Sequence, residues 1–211
     1  GITRIWNRNI LEFPSLGIIP YGESLKFFHP WVRQVEMESN GKNVDAQGIQ
    51  LRTPASPLIF GSVGTDAQHS FFQALHQGVE KIPIEILVPT TLNFLSDGIS
   101  DNIRIQNQLA INALAQCEAL MAGDITNKDR FRLFKGGRPS TLISWKTTDA
   151  LSLGRLISLY ENASIVSGLI WGINSFDQFG VELGKEIAKN ISNEKNLASL
   201  SSAGKEFLKK L

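Results

Sequence analysis

With 211 residues, 42% of them hydrophobic, the chain can bury a sizeable core and suffices for one large or two small domains. Its 21 Lys and Arg stand against 20 Asp and Glu, a formal charge of +1 without blocks of one sign, which gives no electrostatic case for nucleic acid or an acidic membrane surface. A single cysteine, Cys117, excludes an internal disulfide and fits a reducing compartment.

The opening Gly1-Ile2-Thr3-Arg4-Ile5-Trp6 has no basic stretch leading into an apolar run and a cleavage site, so it is not read as a signal peptide. No uninterrupted apolar run approaches the roughly 18–20 residues of a membrane helix. The expectation is a soluble, cytoplasmic chain with neither membrane nor nucleic-acid partners.

In chain order, the first stretch reads as a helix remnant and a connection containing Pro14 and Pro20 and ending near Tyr21-Gly22. From Glu23, the recurrence of Leu25, Phe28, Val32 and Val35 predicts a helix to Glu38, bent or interrupted at Pro30. Gly41 is expected to close it in the left-handed conformation, leaving the Glu38 carboxylate at a helix end facing a loop. Gln34, four residues earlier, should share that face. The apolar run 57–61 predicts a buried strand, followed by a helix capped by Thr65 or Asp66 and reaching Gln77-Gly78, with His69 near its first turn. A strand over Ile82 to Val88, closed by Pro89, completes a βαβ unit and so implies a partly parallel sheet.

A polar loop is expected over 89–101, then a long helix from about Asn102 to Met121, with Leu109, Ala113, Leu114, Cys117 and Leu120 to Met121 on its apolar stripe and Gly123 at its end. Cys117 is read as an inert core thiol. Ser140 to Trp145 is a third strand candidate. Two helices, Asp149 to Glu161 and Ala163 to Ile173, should follow, then one from Ser175, where Gln178 three residues on has the form of a capping box. The last stretch, 197–211, reads as a polar linker and a short amphipathic helix packing on a partner surface.

A carboxylate and an imidazole at chain breaks suit proton transfer on a sugar. One base that reaches two neighbouring carbons can move hydrogen between them, and an imidazole titrates near neutrality. His69 and His76, seven apart on one predicted helix, lie about 10.5 Å apart along its axis, too far to share a metal ion easily. There is no Gly-x-Ser-x-Gly elbow and no P-loop lysine pattern. Gly61-Ser62-Val63-Gly64 is only a weak match to a dinucleotide fingerprint.

Six segments carry a family resemblance: Met37-Glu-Ser-Asn-Gly-Lys42, Gly64-Thr-Asp-Ala-Gln-His69, Leu75-His-Gln-Gly78, Leu114-Ala-Gln-Cys-Glu-Ala-Leu-Met121, Gly136-Gly-Arg-Pro-Ser140 and Asn174-Ser-Phe-Asp-Gln-Phe-Gly-Val-Glu-Leu-Gly-Lys185. In that order the chain resembles the C-terminal part of glucose-6-phosphate isomerase. The resemblance implies an α/β SIS-type domain over 1–194, with a mostly parallel sheet flanked by helices. It further implies a C-terminal tail helix over 195–211, and an N-terminal SIS domain absent from this chain. It implies interconversion of glucose 6-phosphate and fructose 6-phosphate through a cis-enediolate, in a homodimer that shares its active sites and needs no metal or organic cofactor.

In that resemblance Glu38 falls at the base, His69 at a ring-opening histidine supplied by the neighbouring subunit, and Lys185 at a lysine near the ring oxygen. Gln34 and Gln178 fall at substrate-contacting glutamines, and His76 at a histidine near the dimer contact. Asp66-Ala67, Ser62, Gly137 and Phe179 depart from the commoner residues, none at a proton-transfer position. The family's phosphate-binding loops and enediolate-stabilising arginine have no match here, so the expectation is a fragment inactive by itself. The alternative is a non-catalytic SIS-type module that binds sugar phosphate or dimerises.

Overall fold

The computed structural model describes residues 1–91, 99–193, 197 and 200–210. They divide into two compact units, residues 1–175 and 176–211, so the expected boundary after residue 194 falls inside the second unit.

The first unit is built on a four-stranded parallel sheet in the order β2-β1-β3-β4, with β1 at Ser15–Pro20, β2 at Leu58–Gly61, β3 at Ile84–Thr91 and β4 at Ser140–Thr147. The central strand β1 replaces the connection expected there. Its run Leu16-Gly17-Ile18-Ile19 is buried because helices cover both faces of a parallel sheet, which removes the alternation that usually marks a strand. Its prolines are harmless. β2 pairs only as far as Ile18, so Pro20 has no neighbour on that side to miss its N–H. The same reasoning corrects the end of β3. Pro89 does not close that strand, because β1 has already stopped opposite Leu87, and β3 continues beside β4 to Thr91.

The helices of this unit are α1 (Ile2–Ile5), α2 (Phe28–Arg33), α3 (Gly64–Gln68), α4 (Phe72–Gln77), α5 (Ile99–Ala122) and α6 (Ala150–Trp171). α1 runs into a π-helical turn, Trp6–Ile10, and α2 into another, Gln34–Glu38. Pro30 neither bends nor interrupts α2. It occupies the first turn, where its missing N–H has no intrahelical acceptor to lose, and the break comes earlier, after a 3₁₀ turn at Glu23–Leu25. α5 ends at Gly123 with φ +66° as expected, but Leu114 and Met121 are exposed, and the buried stripe runs through Gln106, Ala113 and Leu120. The loop expected over 89–101 lies outside the described residues from 92 to 98.

α6 is one helix where two were expected. Asn162, which reads as a break, turns its amide onto Ser158 O at 2.7 Å on the exposed face, so the backbone winds on without interruption. Asp149 caps the start by accepting from Ser152 N at 2.7 Å, and Gly172, φ +67°, closes the end. Two cores flank the sheet. One gathers Ile19, Phe72, Leu75, Ile86 and Ala113 beneath α4 and α5; the other gathers Ile18, Phe28, Val32, Leu87, Leu156 and Tyr160 beneath α2 and α6.

The single helix expected after β2 is broken into α3 and α4. Phe71 and Phe72 are consecutive, and both pack inward, Phe71 edge-on to Phe60 at 5.1 Å and Phe72 in the core. An unbroken helix would point consecutive side chains about 100° apart. α3 is anchored instead at Gly64, where a Cβ would collide with the buried Tyr21 ring. We expect Gly64→Ala to destabilise the protein by about 1–3 kcal/mol through overpacking, read as a lower urea midpoint with an unchanged slope.

The second unit holds a 3₁₀ turn at Phe179–Val181, then α7 (Glu182–Ser192) and α8 (Ser202–Leu208), the latter capped by Ser201 Oγ on Gly204 N. The capping box at Ser175 does not form. Ser175 Oγ donates to Asn40 Oδ1 at 2.7 Å, and no helix begins until Phe179.

Candidate active site

Glu38 ends the π-helical turn, and the chain leaves the helix at Gly41. The glycine serves a different purpose from the one expected, since its φ is not positive. A Cβ there would strike the Met37 carbonyl oxygen, which accepts the Gly41 N–H at 2.9 Å. Lys42 Nζ folds back onto Glu38 O at 2.9 Å. The Glu38 side chain is half-buried, and among the described residues its carboxylate makes no hydrogen bond or ion pair, so it is free to meet a ligand. Gln34, at the other end of the same turn, is exposed.

The residues on either side of Glu38 are tied down. Glu36 is 1% exposed and Asn40 is fully buried. Asn40 Nδ2 donates to Glu36 Oε1 at 3.2 Å and to Ser164 O at 2.9 Å, and Ser164 Oγ donates to Glu36 Oε2. Met37 packs inward and its sulfur accepts the Ile59 N–H at 3.3 Å, while Ser56 N donates to Asn40 O at 3.3 Å. These contacts place Glu38 by the amino end of β2.

His69 stands at the other end. It follows α3, whose N-terminus begins just past Gly61, and Gln68 beside it donates to Tyr21 OH at 2.8 Å beyond the carboxyl end of β1. Its imidazole is exposed, and its backbone N–H donates to Asp66 O at 3.1 Å. His69 therefore closes a helix instead of lying in a first turn. Within one chain Glu38 and His69 lie toward opposite ends of β2, whose four residues span about 10 Å from first to last.

His76 is half-buried in α4, not on the same helix as His69, so the axial distance reckoned between them does not apply. Its Nε2 lies 2.9 Å from Gln116 Oε1 and its ring meets the Phe134 ring edge-on at 5.7 Å. In the second unit Lys185 on α7 and Gln178 before the 3₁₀ turn are exposed.

A buried ion pair went unread in the sequence. Arg4 donates Nε and Nη2 to the two oxygens of Glu85 at 3.0 and 2.7 Å, Tyr160 OH donates to Glu85 Oε2 at 2.6 Å, and the guanidinium lies 4.5 Å from the Tyr160 ring centre. Burial pushes the Glu85 carboxyl up, but Arg4's charge and the hydrogen bonds of Arg4 and Tyr160 outweigh it and hold the pKa below the ordinary value. Burial, then the Glu85 charge, raises Tyr160 well above its usual range. A cleft of about 340 Å³ lined by Arg4, Glu85, Tyr160, Asn7 and Thr141 opens beside this pair, and none of the expected site residues lines it. The signal was Glu85 itself, a lone charge between two isoleucines of a buried strand.

The sequence profile of the family described as phosphoglucose isomerase matches residues 1–205. The chain belongs to the phosphoglucose isomerase family. Relatives agree. The glucose-6-phosphate isomerase of Xanthobacter autotrophicus is 41% identical over 206 residues, covering 89% of this chain and 37% of that protein. That of Protochlamydia amoebophila is 39% identical over 217 residues, covering 100% of this chain and 40% of that protein. The crystal structure of the glucose-6-phosphate isomerase from Chlamydia trachomatis superposes with a TM-score of 0.82 at 37% identity, over 97% of this chain and 39% of that one. A hypothetical protein from Thermus thermophilus, TM-score 0.65 at 22% identity, shares the fold. This member of the phosphoglucose isomerase family thus spans about two fifths of the length of the relatives it matches. Among the described residues no helix is long and apolar enough to cross a membrane.

Proposed function

We propose that this chain supplies the base-bearing part of an enzyme that interconverts glucose 6-phosphate and fructose 6-phosphate in the cytoplasm. The observation that carries the reading is the family match over residues 1–205, with a Glu38 carboxylate that makes no hydrogen bond or ion pair among the described residues, presented at a tethered helix end. Glu38 takes the proton from C2 and returns it to C1. A carboxylate on a fixed segment reaches both carbons by a small swing, and holding it there removes most of the entropy cost of the encounter. His69 and Lys185 act in ring opening, as acid and base on separate oxygens, while Gln34 and Gln178 contact the sugar.

The placement of Glu38 and His69 toward opposite ends of β2 supports a homodimer in which each site draws Glu38 from one protomer and His69 from its partner. His76, held by Gln116 within its own chain, is assigned to keeping α4 on α5 next to the dimer contact. The remaining length of the fold carries the phosphate-binding loops and a cation for the enediolate. Loss of one such oxyanion donor costs on the order of 10²–10³ in rate, so the 211-residue chain alone should show little turnover.

The test is a coupled assay with fructose 6-phosphate on the assembled isomerase, in which this chain is joined to the remaining length of the family fold. Mixing and refolding Glu38→Gln with His69→Ala should restore roughly a quarter of wild-type activity, because half the dimers are mixed and each carries one intact site. Additive residual activity, with no gain on mixing, would show that both residues act within one protomer.

A further inference from the structure

We infer that Glu36 and Asn40 are positioning residues that fix the Glu38 carboxylate by clamping both sides of it to α6. The inference deepens the isomerase reading and rests on it for the role of Glu38. Glu36 lies two residues before Glu38 and Asn40 two after, and both reach the same place, Ser164 in the middle of α6. Asn40 Oδ1 also receives Ser175 Oγ at 2.7 Å. Gly168 makes room for this knot, since a Cβ there would collide with Ser175 Oγ and come within 2.9 Å of Asn40 Oδ1. Between these two anchored residues, the Glu38 side chain makes no such tie among the described residues.

A role in stability alone is a poor account of this arrangement. Glu36 is a carboxylate 1% exposed, and its hydrogen bonds among the described residues come from an amide and a hydroxyl, with no cation in contact. The well-shielded carboxylate of Glu85, by contrast, faces Arg4 at 2.7 Å. Burying a polar side chain that meets only neutral donors is more costly than burying an apolar one, and apolar packing would hold two helices together at lower cost. What the polar knot provides over apolar packing is direction. It acts where direction is least secured by the backbone, in a π-helical turn whose wider winding departs from the regular α-helix. A base displaced by about 1 Å can lose on the order of 10²-fold in rate.

Steady-state kinetics of the assembled isomerase, combined with amide hydrogen exchange over residues 37–42, test this. Glu36→Ala should lower kcat by about 10²-fold with KM within about threefold and with faster exchange confined to 37–42. Glu36→Gln should recover most of the loss, because its carboxamide accepts from Asn40 while donating to Ser164 Oγ. Wild-type kcat in Glu36→Ala, or equal losses in the Ala and Gln variants, overturns the inference. Should Glu36→Ala fail to fold, Ser164→Ala decides: a fall in kcat of about tenfold with KM within about threefold, assayed well below the variant's melting temperature, supports positioning, and unchanged kcat refutes it. If the wild-type enzyme itself shows no turnover, the isomerase reading fails. The clamp then stands or falls on exchange in Ser164→Ala, where unchanged protection of 37–42 overturns it.

Discussion

Replacing Glu38 by Gln in the assembled isomerase is expected to lower kcat by about 10²–10⁴-fold while KM moves by less than about threefold. Gln keeps the size and polarity of the side chain but could not accept the C2 proton in the proposed role, so only the step assigned to that base should be lost. Binding survives because it depends on other groups. Wash-out of isotope from C2 of the substrate should fall with kcat, since both report the same proton transfer. A variant that still exchanges the C2 hydrogen at the wild-type rate would remove Glu38 from the reaction.

Arg4→Ala is expected to have the largest effect on stability, about 3–5 kcal/mol, because it leaves the Glu85 carboxylate buried without its cation. Both partners are well shielded, with side chains 9% and 14% exposed, so solvent screening discounts little of this. The pair also gives a pH signature. Glu85 titrates below its ordinary value in the folded protein despite the opposing effect of burial, so its contribution is fully present above the unfolded value of about 4.5 and is lost as pH falls through the lower folded value. Urea midpoints measured from pH 7 down to pH 3 should drop below pH 4.5 more steeply in the wild type than in Arg4→Ala. Parallel curves for the two proteins would show that the ion pair contributes nothing to the acid limb.

The parallel α/β class was legible because the strands at β2, β3 and β4 are short apolar runs bounded by turn residues and separated by helix-length segments. β1 was not, because two prolines bracket it and period-two alternation is absent where both faces are buried. Whether Pro20 and Pro89 end their strands depends on which neighbours have already stopped, a fact of sheet order that no local pattern contains. α6 was split at Asn162 for a related reason. A polar residue on the solvent face of a buried helix looks the same in sequence as a loop.

For the site, spacing and composition gave only a helix-end acid and a nearby imidazole, and the family's segments gave the roles. Sequence could not give the separation of Glu38 from His69, since that depends on which end of β2 each flanking helix meets. Nor could it give the knot around Glu36. A glutamate four residues after Val32 looks like one more helix-face charge until Ser164, distant in the chain, is brought against it.

The π-helical turn Gln34–Glu38 has one more consequence. It sets the angular phase between α2, which must keep Phe28 and Val32 in the core, and the acid that follows. Winding the same residues as a regular α-helix would instead turn everything after the segment by about 100° relative to α2. The hydrophobic side of α2 would survive such a rewinding, but the Glu38 carboxylate would swing into the contact now made by its neighbours. The extra residue is thus a built-in phase offset, which lets one continuous helix serve a packing surface and a chemical one that do not share a direction.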